Sequence, residues 1–380
     1  MYSYQQTFPT DPFGNRYVGN DMGKYTESLP EAPKNIESRH AILVGGGIGN
    51  LIAAGYLLRD AQMPGENITI LEQRDIAGGS FDGAGDNEHG FIARGGREMG
   101  QHFECFWDIM KDVPARDMPA PHSVLDEFRT VNEADPNISN CRIISDQART
   151  RLQAPDMGLS KKAQFQIVKL LAVKEEATYY KTIEDWFGPD FINSNFYTLW
   201  RSMFAFQNYQ SLTEMKRYMH RFLQYLPGFP DFSCLRFSRY NQYTSFIEPL
   251  ENYLRDKGVQ FQYNTVVEDL EIERAGNTFT VTAVKTSSGD IPVDKGDVVI
   301  VTNGSLTEST GYGDIDTVPE FKKTPGPAWS LWKNIAAKAP NCGRPERFCS
   351  DPEKTVWESV SFNFYGGYDN PFNAKIRELC

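Results

Sequence analysis

The stretch Ala41-Ile-Leu-Val44, followed at once by Gly45-Gly46-Gly47-Ile48-Gly49-Asn50, constrains this 380-residue chain more than any other feature. Four apolar residues in a row have the character of a strand buried on both faces, as in parallel sheets. The glycines permit a sharp turn, and Leu51 to Leu58 is apolar and compatible with a helix. A second apolar run, Ile68-Thr-Ile-Leu71, ends in Glu72, 22 residues past Asn50. Strand, glycine turn, helix, strand and acid in that order make the dinucleotide-binding unit. Gly45 supplies the tight turn, Gly47 lets a pyrophosphate approach the backbone, and the helix N-terminus attracts the anion. Glu72 stands where a carboxylate accepts ribose hydroxyls. Asn50 occupies the place of the usual third glycine, so the match is imperfect. The same Ala41–Leu58 stretch is uncharged for 18 residues, the lower limit for a membrane span. Its five glycines and Asn50 argue against one.

The residues after Glu72 bear on which dinucleotide is held. Gly78-Gly79, Gly83, Gly85, Gly90 and Gly95-Gly96 form a series that an NAD domain does not need after its ribose acid. Flavoproteins of the glutathione-reductase-like superfamily do need one, because this part of the chain passes along the FAD pyrophosphate and ring. Gly296-Asp-Val-Val-Ile-Val301-Thr-Asn-Gly304 resembles the strand and turn by which those folds return to the flavin. FAD is therefore favoured over NAD, although each glycine taken singly reads equally as a surface turn. The expected fold is α/β, an FAD-binding Rossmann-like domain of that flavoprotein type with an inserted helical or mixed substrate domain. Expected cofactor contacts are Gly45, Gly47, Gly49, Asn50, Glu72, Gly78, Gly79, Ser80, Arg94, Gly95, Gly96, Val266, Asn303, Gly304 and Ser305.

Composition narrows the class further. Lys and Arg number 39 against 50 Asp and Glu, a net charge of -11, which disfavours nucleic-acid binding. Aromatics at 13% with charged residues at 23% exclude disorder over the whole length. Six cysteines without a CxxC pair and five scattered histidines suggest neither a zinc site nor a disulfide framework. Cys105 reads as a small buried hydrophobe. Residues 1–38 are polar and broken by Pro9, Pro12, Pro30 and Pro33, an arm without signal-peptide character, so a cytoplasmic location is expected. The first part of the FAD domain is expected over 39–150, a helical substrate segment over 151–258, the return to the FAD domain over 259–310, and an incomplete second substrate segment over 311–380. Within the helical segment Phe165, Val168, Leu170 and Leu171 recur at helix spacing, and Trp186 to Phe206 is densely aromatic. That run reads either as a bundle packing its own core or as an apolar wall facing a greasy ligand.

Arg94-Gly-Gly-Arg-Glu-Met99 with His102-Phe-Glu-Cys-Phe-Trp107 resembles the oleate hydratase family, earlier named for a myosin-cross-reactive antigen. Ala77-Gly-Gly-Ser-Phe-Asp-Gly83, Asp135-Pro-Asn-Ile-Ser-Asn-Cys-Arg142, Trp200-Arg-Ser-Met-Phe-Ala-Phe206, Arg217-Tyr-Met-His-Arg-Phe222 and Tyr240-Asn-Gln-Tyr243 extend the resemblance in order. It implies FAD binding and addition of water across the cis double bond of an unsaturated fatty acid such as oleate or linoleate, without net redox. It also implies a homodimer, peripheral membrane contact, and a polypeptide that continues past Cys380 with groups that anchor the fatty-acid carboxylate. A form ending at Cys380 is accordingly expected to be slow or inactive. An oxidoreductase of the amine-oxidase or desaturase type, and a non-catalytic flavin or lipid binder, remain open alternatives.

Hydrating an unactivated alkene needs a proton donor, a positioned water and tolerance of developing positive charge. By resemblance, Glu98 is the carboxylate that activates water and Tyr218 the donor to the alkene carbon. A phenol with a pKa of about 10 is a poor acid. Arg97 and Arg217 are therefore candidate helpers, and Asn241 and Gln242 candidate substrate contacts. Each has a plainer reading beside it. Glu98 also reads as a loop carboxylate bridged to Arg94 or Arg97, Tyr218 as one of 18 tyrosines packing a helix, and Asn241 with Gln242 as a cap. His102 and His220 read as structural residues.

Overall fold

The computed structural model describes residues 31–366 and 370–379, apart from 82, 84, 87, 93–97, 119–120, 140–141, 146–147, 152–156, 303, 305 and 325. Most of the expected arm, residues 1–30, lies outside that set. The chain divides into two compact units. The first is built from the described residues of Met1–Gly95, His102–Arg129 and Ser238–Asn363, the second from those of Gly96–Gln101, Thr130–Phe237 and Phe364–Cys380.

In the first unit the apolar run Ala41–Val44 forms strand β1, the turn leads into helix α1 (Ile48–Arg59), and Ile68–Leu71 forms strand β2. β1 lies at the centre of a four-stranded parallel sheet, with Val298–Val301 on one side and β2 then Gln260–Gln262 on the other. The register pairs Ala41 with both Val298 and Ile68. Strands of a parallel sheet are covered on both faces and so are apolar on both, and Ala41, Leu43, Ile68 and Ile70 are completely buried. Burying each of the larger three contributes about 1.5–3 kcal/mol. α1 packs Leu51 and Ala54 inward, and Gly55 lets the Glu104–Met110 helix approach so closely that a Cβ there would meet Ile109 at 3.0 Å. The 18-residue uncharged stretch is thus divided between strand, turn and helix, and no described helix is long and apolar enough to cross a membrane.

Within the expected return segment, Val267–Ala275, Thr278–Thr286 and Gly289–Pro292 form an antiparallel meander. The Pro327–Lys338 helix covers it, bringing Leu331 and Ile335 onto Val267, Leu270 and Val284. Residues 238–258 also belong to this unit rather than to the helical one. The Glu248–Asp256 helix buries Leu250 and Leu254, which accounts for its side. Cys105 departs from expectation: it is exposed, because the Glu104–Met110 helix turns Phe106 to Met110 inward instead.

Helices dominate the second unit. Ser160, Ser194 and Ser211 each accept the amide three residues on, starting the helices Lys161–Ala172, Asn195–Phe204 and Leu212–Phe222. The Asn195–Phe204 helix ends where Ala205 turns left-handed at φ 58°. Phe191, Tyr197, Trp200 and Phe229 are fully buried, and Phe187 stacks on Phe191 at 3.7 Å. Of the two readings of the aromatic run, these side chains follow the first: they pack one another. Phe165 and Val168 do not join them. Ala163 and Leu170 face the core, which leaves Phe165 and Val168 on the solvent side.

Candidate functional site

The carboxyl ends of β1, β2 and the Val298–Val301 strand open into a cleft of about 380 Å³. Open parallel sheets bind ligands at this end. Its floor is backbone. Gly45 turns at φ +97°, and its amide donates to the Leu71 carbonyl at 2.8 Å. A Cβ there would lie 2.6 Å from the Thr302 carbonyl oxygen, so only glycine fits. Gly47 precedes α1 with no side-chain cap, which leaves the first-turn amides to a ligand. The second glycine loop lies directly against the first: Gly78 donates to the Gly46 carbonyl at 2.8 Å. A Cβ on Gly79 would press to 3.2 Å from Gly47 Cα.

Glu72 is buried beside this floor. Its Oε2 accepts the Gly46 amide at 2.7 Å and its Oε1 the Arg74 amide at 3.0 Å. Two backbone donors fix the carboxylate while each oxygen keeps a lone pair for a further donor. Gly45, Gly47, Gly49, Gly78, Gly79, Ser80 and Gly304 line the cleft together with Glu72, as the motif led one to expect. Asn50 does something else. Fully buried, it donates from Nδ2 to the carbonyls of Val44 and Gly45, each at 2.8 Å, and so braces the turn from beneath. Val266 donates its amide to Ser287 Oγ at 3.1 Å, and its neighbours Thr265 and Val267 reach the cleft in its place. Arg94, Gly95, Gly96, Asn303 and Ser305 lie outside the described residues, as does Arg97.

The motif reading missed Thr302, Glu308, Tyr312 and Leu331, which also line the cleft. Thr302 was within reach, since it directly follows the return strand. Glu308 had no local signal. It faces the start of the Pro327–Lys338 helix, accepting the Ala328 amide at 3.2 Å, and burial raises its carboxyl above the ordinary range despite that bond.

In the helical unit Tyr218 is half-buried among Phe204, Phe206 and Phe222, with the rings of Phe204 and Phe206 edge-on at 5.4 and 5.2 Å. Burial, and then the charge of Glu214, push its phenol upward. Arg217 points away to the surface, where it forms a two-pronged pair with Glu175 at 2.5 and 3.0 Å. Glu98 is exposed in the same unit. The residue after it, Met99, exchanges two backbone hydrogen bonds with buried Arg236, at 2.8 and 3.2 Å, which fixes that end of the loop. His220 is exposed, whereas His102 is buried, with Nδ1 3.4 Å from Glu104. Asn241 and Gln242 lie in the other unit. Asn241 Oδ1 accepts the Thr244 amide at 2.8 Å, a capping bond, and its Cβ packs where Gly83 has no side chain. Gln242 is buried at the start of the π-helical turn Tyr243–Ile247.

A parallel sheet with a glycine-floored cleft at its carboxyl edge defines a Rossmann-like α/β protein. The chain belongs to the MCRA family, whose model matches residues 38–380. It is 40% identical over 334 residues to the oleate hydratase of Streptococcus pyogenes serotype M49 (strain NZ131), covering 87% of this chain and 56% of that protein. It is 27% identical over 354 residues to the linoleate hydratase of Lactiplantibacillus plantarum, covering 84% of this chain and 61% of that one. The chain thus spans somewhat more than half the length of these relatives. Among solved structures, an oxidoreductase from Methanosarcina mazei superposes with a TM-score of 0.44 at 13% identity, over 70% of this chain and 59% of that one. A Pyrococcus furiosus protein gives 0.42 at 15%, over 71% and 60%.

Proposed function

We propose that this chain carries the flavin site and the proton-transfer residues of a hydratase acting on the cis double bond of unsaturated fatty acids. The observation that carries the reading is the 40% identity to an oleate hydratase over 87% of the chain. The cleft supports FAD as the resident group. Its floor is glycine backbone at an uncapped helix start, suited to a pyrophosphate, and Glu72 keeps lone pairs for ribose hydroxyls. Gly45, Gly47, Gly78 and Gly79 would hold the phosphates. When bound, the flavin supplies electrostatic stabilisation of positive charge near the reacting carbon and leaves no net redox change.

The protein's own residues move the protons. Tyr218 gives its hydroxyl proton to one alkene carbon, water adds to the other, and the Glu98 carboxylate takes the proton that water releases. Atoms and charge then balance once the proton returns to the phenolate. Burial and Glu214 keep the phenol protonated at neutral pH, so the donor is loaded. The same shift makes it a reluctant acid, which is why a cation-stabilising environment must assist.

The test is mass spectrometry of oleate and linoleate after incubation with FAD-loaded protein, extended to the relatives' length where needed. A product heavier by one water is expected. Glu98→Gln and Tyr218→Phe should each slow its formation about 10²–10⁴-fold while flavin content stays unchanged. Near-wild-type rates in both variants would remove these two residues from the mechanism, and acceptor-dependent oxidation instead of hydration would overturn the reading.

A further inference from the structure

Glu308 lies on the short helical turn Leu306–Ser309, which follows the Val298–Val301 strand, and its side chain lines the glycine-floored cleft. Its carboxyl is held in place from two sides. Oε1 accepts the Ala328 amide at 3.2 Å. A Cβ on Gly326 would lie 2.2 Å from that same oxygen, so a side chain there would displace the carboxyl. A Cβ on Gly304 would come within 2.8 Å of the Glu308 Cβ. The other oxygen, Oε2, is buried and has no hydrogen-bond partner. Glu72 contrasts with it, since each of its oxygens accepts a backbone amide.

No cation stands beside Glu308 to offset a negative charge. The turn Leu306–Ser309 carries no other charged residue, and neither does the first turn of the Pro327–Lys338 helix. The remaining titratable or charged groups that line the cleft are Glu72, Arg74 and Tyr312. Burial raises the Glu308 carboxyl above the ordinary range, opposed only by the Ala328 amide. A dinucleotide brings its pyrophosphate, which is anionic, into the same cleft. Like charges in a partly buried site repel far more strongly than in water. An ionised Glu308 would oppose the ligand, whereas the neutral acid would not. We propose that Glu308 couples filling of this cleft to the uptake of one proton, standing as the neutral acid while the dinucleotide is bound. The inference rests on the dinucleotide reading of the cleft and adds a pH dependence to it.

The sign follows from linkage. A carboxyl that holds its proton more tightly in the complex than in the free protein makes affinity fall as pH rises. For one proton the fall is at most about tenfold per pH unit. The test is equilibrium dialysis of flavin-free chain against FAD between about pH 5 and about pH 8, the range above the ordinary carboxyl value. The Kd should rise about tenfold or more across that range. Calorimetry in buffers of different ionisation enthalpy should show protons taken up as FAD binds. Glu308→Gln keeps an acceptor for the Ala328 amide and cannot titrate. It should flatten the pH dependence, abolish the uptake, and bind FAD more tightly than the wild type at the upper end. Binding by the wild type without proton uptake would overturn the proposal, and that measurement needs no variant. An unchanged profile and uptake in Glu308→Gln would also overturn it, by placing the linked proton elsewhere. If NAD binds and FAD does not, the flavin reading falls, and proton uptake with NAD decides the coupling by the same criterion. A chain that binds neither would overturn both.

Discussion

Asp108 shows how much one buried carboxylate organises. Its side chain is wholly buried, yet it accepts Arg59 Nη2 and Lys111 Nζ, each at 2.6 Å, and the Tyr56 hydroxyl at 3.1 Å. Burial opposes its ionisation, but the hydrogen bonds from Lys111 and Arg59 outweigh that and hold the carboxyl below the usual range. Asp108→Asn should cost about 3 kcal/mol in urea unfolding at neutral pH, the lower end for breaking a buried pair. The lower end applies because Arg59 keeps Asp60 and Asp112 as partners. A depressed folded pKa gives stability that is complete above the unfolded value of about 3.9 and is lost as the pH falls through the folded value. The variant should therefore lose less stability than the wild type on acidification. Parallel acid limbs in the two proteins would show that Asp108 is not the linked group.

At the level of elements, side chains close several ends of the helices in the second unit. Serines start three of them, and a lysine from another helix finishes one. Lys216 is buried, and its ammonium donates to the carbonyls of Leu170, Leu171 and Val173 at 2.7 to 2.8 Å. Those carbonyls belong to the end of the Lys161–Ala172 helix, which has no intrahelical donors for them. The cation also meets the negative end of the helix dipole. Lys216→Met keeps the stem but leaves the carbonyls without their shared donor. A loss of about 3 kcal/mol is expected, since bonds to a charged group run at roughly 1.5–3 kcal/mol each and water recovers part of the deficit. Hydrogen exchange should show the earliest loss of protection at residues 169–173. Uniform loss across the unit would instead point to a general packing defect.

For the molecule as a whole, each unit has its own core, and the cleft residues proposed to hold the flavin belong to the first. FAD at 100 times its Kd should stabilise what it binds by about 2.7 kcal/mol. The expected signature is slower hydrogen exchange at β1, α1 and Gly78–Ser80, with the Asn195–Phe204 helix unaffected. NAD at equal concentration should give no such protection. Protection by NAD and none by FAD would reverse the choice of cofactor.

Much of the first unit is legible in the amino-acid sequence, and for a local reason. A βαβ unit puts strand, glycine turn, helix and acid within about 30 residues, so Gly45, Gly47 and Glu72 announce a shared site by spacing alone. The partner strand is legible too, as the apolar run Val298–Val301, although its parallel register against Ala41–Val44 is a contact across more than 250 residues. Other features depend on which way a side chain turns once packed. Asn50 reads as a blemish in the glycine pattern, yet, buried beneath the turn, it braces the carbonyls of Val44 and Gly45. Phe165 and Val168 recur at helix spacing with Leu170, yet the helix spends its inward face on Ala163 and Leu170. Cys105 is expected inside and faces outward. Glu308 is invisible in the sequence, since nothing within a few residues marks a carboxyl that a helix starting near residue 327 would bury. Sequence alone determined what depends on neighbours along the chain: the strands, the glycine turn, the acid and the family. Tertiary structure decided which face of each element was buried, because burial depends on surfaces that meet only after distant segments have packed.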